Sequence, residues 1–100
     1  SSATRLADYP GVPTYAEAGY RSLVATIWFS LSGPAKMPAD IVERLNAEVR
    51  KALDAPDTRQ RLRPEGIEPG KLSAREFTAF VEAEIKRWAP VVKASGAKTD

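Results

Sequence analysis

One hundred residues, 43% of them hydrophobic, with 15 basic side chains nearly matched by 13 acidic ones, describe a folded chain of ordinary domain size. The net charge of +2 gives no ground for a polyanion partner, and nucleic acid is not expected as one. Cysteine and histidine are both absent, which excludes thiol nucleophiles, disulfides and cysteine or imidazole metal sites and removes the commonest general base; no metal or cofactor is expected. No run approaches the roughly 18 apolar residues that span a bilayer, and the first residues carry no signal-peptide core.

Asp8, Pro10, Gly11 and Pro13 make the opening run an ordered loop. Thr14 and Glu17 then have the spacing of a capping box, and Gly19 supplies a stop, so one or two helical turns are predicted between them. Residues 23–31 (LVATIWFSL) are rich in β-branched and aromatic side chains and are closed by Gly33 and Pro34, the pattern of a largely buried strand.

Pro38 suits the first position of a helix, with Asp40 in the first turn where the helix dipole favours an anion. Ile41, Val42, Leu45, Val49, Ala52 and Leu53 recur at helical spacing, so this helix is predicted to end near Leu53. Asp54 is read as the cap of a short helix through Leu62, followed by a turn at Gly66 and a short edge strand at Ile67. Ser73 and Glu76 form a second capping box. It opens a long helix with Phe77, Phe80, Val81, Ile85, Trp88 and Val92 on one side, bent by Pro90 and stopped at Gly96.

The fold class is thus α/β, helix-rich with one long strand and a short second one. A lone strand cannot satisfy its own backbone hydrogen bonds. Either it pairs with another copy, or its partners belong to a longer protein.

Short catalytic patterns dissolve on inspection. Ser95 and Lys98 have S-x-x-K spacing, yet the serine falls at a helix end, where acylase chemistry needs it at a buried helix start. Residues 66–73 (GIEPGKLS) resemble a phosphate loop but have three residues between the glycines and Leu72 where a hydroxyl belongs. Arg59, Arg61 and Arg63 cluster without interleaved aromatics and are flanked by Asp57 and Glu65, which reads as a solvated face. Glu82 and Lys86 have the favourable i, i+4 order of a surface ion pair.

Trp28 and Phe29 are the candidate ligand-binding residues. Neighbours on a strand face opposite sides, so at least one ring can line a cleft; plain core packing is the alternative reading.

Taken in order, PGVPTYAEAGY (10–20), WFSLSGPAKMP (28–38), RLNAEVRKALDAP (44–56), EFTAFVEAEIKRW (76–88) and ASGAK (94–98) make the chain resemble the C-terminal part of the Bug, or TctC-like, solute-binding receptors of tripartite tricarboxylate transporters. The resemblance implies a periplasmic protein roughly two to three times this length, with two α/β lobes that close on a small carboxylate-bearing solute and deliver it to a membrane permease. It implies no covalent chemistry, so an enzyme is not expected. On it, residues 1–24 belong to lobe two, 25–32 form an inter-lobe strand and 33–100 complete lobe one.

The chain departs from the family pattern at Ser30, where glycine is usual, and at Lys36 and Met37, which replace a glycine and a threonine. Losing the threonine is expected to remove a helix cap worth roughly 1 kcal/mol. The fragment alone is expected not to hold solute and to self-associate as a dimer through its orphaned strand. The alternative from another class is a stand-alone small helical module that dimerises through the same residues.

Overall fold

The computed structural model describes residues 2–98, and these fall into two compact units that divide after Pro34.

In the first unit, two prolines and a glycine keep the chain out of helix until Thr14. Short turns precede it, with the Tyr9 amide donating to the Leu6 carbonyl at 3.0 Å and the Val12 amide to the Tyr9 carbonyl at 3.1 Å. The first capping box forms as predicted: the Glu17 amide donates to Thr14 Oγ1 at 3.2 Å, and the Thr14 amide donates to Glu17 Oε2 at 2.8 Å. One helical turn follows, closed by the Ala18 amide on the Thr14 carbonyl. Gly19, at φ 95°, ends it, and the Gly19 and Tyr20 amides return to the Ala16 and Tyr15 carbonyls in the pairing of a Schellman motif.

Arg21–Leu23 is a 3-10 turn, and residues 24–34 then run without regular secondary structure. The predicted strand over 23–31 is therefore not formed, nor is the one at Ile67, and no strand occurs among the described residues. A strand exists only in a ladder with a neighbour about 4.8 Å away, and no such ladder forms among the described residues.

The second unit is helical. Helix α1 spans Ala39–Asp54, α2 spans Pro56–Leu62 and runs on into a 3-10 turn at Arg63–Glu65, and α3 spans Ala74–Ser95. Pro38 is the residue before α1, its carbonyl accepting from the Val42 amide, so the proline stands one position earlier than predicted. It follows that position 37 lies outside the cap, and Met37 in place of threonine removes no capping group. Asp40 does lie in the first turn.

Asp54 closes α1 and does not cap α2, whose cap residue is Ala55 with Pro56 at the start. The aspartate accepts from Arg59 Nη2 at 2.6 Å instead. Gly66 at φ 66° ends the 3-10 turn, and the Ile67 amide is spent on the Leu62 carbonyl at 3.2 Å, a second Schellman pairing where an edge strand was predicted.

Helix α3 opens on the predicted capping box, with the Glu76 amide on Ser73 Oγ at 3.3 Å and the Ser73 amide on Glu76 Oε2 at 2.8 Å. It continues through Pro90, which costs the Lys86 carbonyl its helical donor, to the αL residue Gly96. Helices α1 and α3 are in contact, and Asn46 Nδ2 donates to the Leu72 carbonyl at 3.1 Å, fixing the middle of α1 beside the foot of α3. Phe77 and Phe80 pair with ring centroids 6.1 Å apart.

No hydrophobic side chain among the described residues is buried; Val42, Leu53, Leu62, Phe77, Phe80 and Val81 are half-buried. A folded domain of this size normally buries a contiguous set of such side chains.

Candidate functional site

Trp28 and Phe29 both lie on the irregular segment that ends the first unit. Trp28 is 40% exposed and Phe29 85% exposed, with Ile27 and Leu31 beside them exposed as well. The structure therefore leaves these apolar side chains on a surface.

A shaped depression lies elsewhere in the first unit and is lined by Thr4, Arg5, Thr14, Ala16, Glu17 and Arg21, together with Ala3. It is an open hollow of about 590 Å³. Its floor is set by the capping box. Arg5 Nε donates to Glu17 Oε1 at 3.1 Å and Oε2 at 2.9 Å, while Arg5 Nη1 donates to the Pro10 carbonyl at 2.7 Å. The Arg5 guanidinium, followed by the Thr14 amide, holds the Glu17 carboxyl below the ordinary carboxylate range. Glu17 thus neutralises Arg5, and Arg21 is the other cation that lines the hollow.

Arg5 and Arg21 carry no sequence motif. Arg5 meets Glu17 across twelve residues, a separation that neither helical nor strand periodicity encodes.

Several polar side chains elsewhere are spent locally. Ser95 Oγ donates to the Val92 carbonyl at 2.8 Å and accepts from the Ala97 amide at 3.2 Å, so it serves the helix end. Arg59 holds Asp54, and Arg59 keeps the Asp54 carboxyl below the ordinary range. On α3 the ion pair joins Glu84 to Arg87 at 3.4 Å, in place of the predicted Glu82 to Lys86. Glu84 also accepts from Trp88 Nε1 at 2.8 Å. No group of three or more Asp or Glu side chains among the described residues is arranged to hold a metal ion, and no described helix is long and apolar enough to cross a membrane.

A chain with this order of turn, irregular apolar segment and three helices matches the profile of the tripartite tricarboxylate transporter family receptor over residues 1–97. The chain belongs to that receptor family. It is 34% identical over 97 residues to Protein BugT of Bordetella pertussis, a match that covers 97% of this chain and 30% of BugT. It is 33% identical over 93 residues to the UPF0065 protein in the tcbD-tcbE intergenic region of a Pseudomonas species, covering 92% of this chain and 28% of that protein. A UPF0065 protein in the gbd 5' region of Cupriavidus necator is 29% identical over 92 residues. The chain spans less than a third of the length of these relatives. No solved structure matches it.

Proposed function

We propose that these residues are the C-terminal part of a periplasmic receptor that captures a small carboxylate-bearing solute and delivers it to the membrane permease of a tripartite tricarboxylate transporter. The observation that carries this reading is the family match along residues 1–97, combined with relatives more than three times as long. The receptor is not an enzyme and uses no cofactor; its work is reversible closure of two α/β lobes on the solute.

Residues 1–24 belong to lobe two, 25–32 pass between the lobes as a strand within the complete sheet, and 33–100 complete lobe one. The division of the chain after Pro34 supports a boundary ahead of α1. Within the closed receptor Trp28 and Phe29 form part of the cleft wall. Their exposure, together with the missing strand, is what a segment shows when the surfaces it packs against lie in another part of the protein.

The isolated chain keeps one wall of the cleft and does not hold solute. It dimerises through residues 23–31, where Ile27, Phe29 and Leu31 are 89%, 85% and 74% exposed. That same exposure favours the second reading, a stand-alone dimerisation module.

Calorimetric titration of mono-, di- and tricarboxylates against the full-length gene product and the 100-residue chain separates the two. Saturable heat from the full-length protein alone supports the receptor. A full-length product that binds none of them overturns it.

A further inference from the structure

The apolar stripe of α3 is continuous but unevenly covered. Phe77, Phe80, Val81, Glu84, Ile85, Trp88, Val91 and Val92 follow helical spacing along one side, within an arc of roughly 140° at 100° per residue. In the first turns Phe77, Phe80 and Val81 are half-buried, on the helix that contacts α1. Beyond Glu84 the same stripe stands open, with Ile85 64%, Val91 51% and Val92 51% exposed. With 22 residues against 16, α3 outruns α1.

A carboxylate in the middle of such a stripe is costly to cover unless its oxygens are already paired. Glu84 meets that condition within its own helix. Trp88 Nε1 takes one carboxylate oxygen at 2.8 Å and Arg87 Nη1 the other at 3.4 Å, while the Arg87 guanidinium lies 5.2 Å from the centre of the Trp88 ring. The tryptophan, arginine and glutamate thus satisfy one another beforehand, and the group can be covered without leaving a bare charge.

We infer that the distal face of α3, from Glu84 to Val92, is a docking face covered by the part of the same receptor chain that lies outside the matched third. The occupant follows from two observations: more than two thirds of BugT lies outside its match to this chain, and the face is apolar with its one charge pair internally satisfied. The inference rests on the receptor reading above and adds where the rest of the receptor seats.

The test is cysteine accessibility, since these 100 residues contain no native cysteine. Val92→Cys is placed in the full-length gene product and in the 100-residue chain, and maleimide labelling of the peptide that contains it is followed by mass spectrometry, with Lys93→Cys as an outward control. The expected result is labelling of Val92→Cys at least about tenfold slower in the full-length protein than in the short chain, independent of protein concentration, with the control unchanged. Equal rates overturn the docking face even if the full-length protein binds carboxylates. Protection that grows with protein concentration assigns the face to a second copy, and protection that needs the permease assigns it to that partner; both overturn the inference. Slow labelling in a full-length protein that binds no carboxylate keeps the docking face and removes the receptor reading. A gene product of only 100 residues removes both.

Discussion

Arg5 and Glu17, twelve residues apart, are joined by Arg5 Nε at 3.1 and 2.9 Å from the two carboxylate oxygens, and the same carboxylate caps the turn at Thr14. One side chain therefore ends a loop and starts a helical turn. Because Arg5 and the Thr14 amide lower the folded-state pKa of Glu17, the tie stabilises the first unit above the ordinary carboxylate range. That stabilisation is lost as the pH falls through the lowered value. Replacing Arg5 with Met moves the Glu17 titration midpoint, followed by side-chain NMR, upward toward the ordinary value. An unchanged midpoint contradicts the pairing.

The same logic applies to α3. Ser73 and Glu76 satisfy two amides at the helix start, and the Ser73 amide and hydroxyl together lower the Glu76 pKa. Ser73→Ala lowers helix stability by about 1 kcal/mol, read as a lower urea midpoint, while Ser73→Asp retains most of it. If alanine and aspartate behave alike, the cap contributes nothing.

Lys36 sits at φ 65°, the left-handed region that an L side chain enters at a cost of roughly 1–2 kcal/mol. It occupies the position where the resemblance expects glycine. Lys36→Gly is therefore predicted to stabilise, by less than that cost because glycine loses more backbone freedom on folding. A rise in the thermal midpoint of the receptor agrees; a fall contradicts the assigned conformation.

Truncating the cleft candidates separates their roles. Trp28→Ala in the full-length receptor is expected to weaken carboxylate binding about tenfold or more, the scale of a lost aromatic contact. In the 100-residue chain, Phe29→Asp is expected to shift light scattering from dimer to monomer. Unchanged affinity in the first case removes Trp28 from the wall, and a chain that is already monomeric removes the dimer.

The local signals of helix were legible in the sequence wherever they depend on neighbours a few residues away. The stripe from Val42 to Leu53, both capping boxes, and the stops at Gly19, Gly66 and Gly96 need only the spacing that the chain itself carries. Residues 23–31 read as a strand on composition, but a strand is made by the ladder it joins, and no strand ladder forms among the described residues. Asp54 looked like a cap because it precedes Pro56; the nearby Arg59 takes its carboxylate and Ala55 occupies the cap position. Glu82 and Lys86 have the right spacing for a pair, and the contacts that form on α3 include Glu84 with Arg87 and Trp88, which spacing alone did not single out. For the site, spacing drew attention to Trp28 and Phe29, whereas Arg5 and Arg21 meet the hollow through a fold that no short-range pattern announces.

Whether these residues are one part of a larger receptor is decided by the intact mass of the natural gene product in its host. The expected mass is roughly 30 kDa or more, the size of a two-lobed protein. A mass near the 10.9 kDa of these residues alone contradicts it.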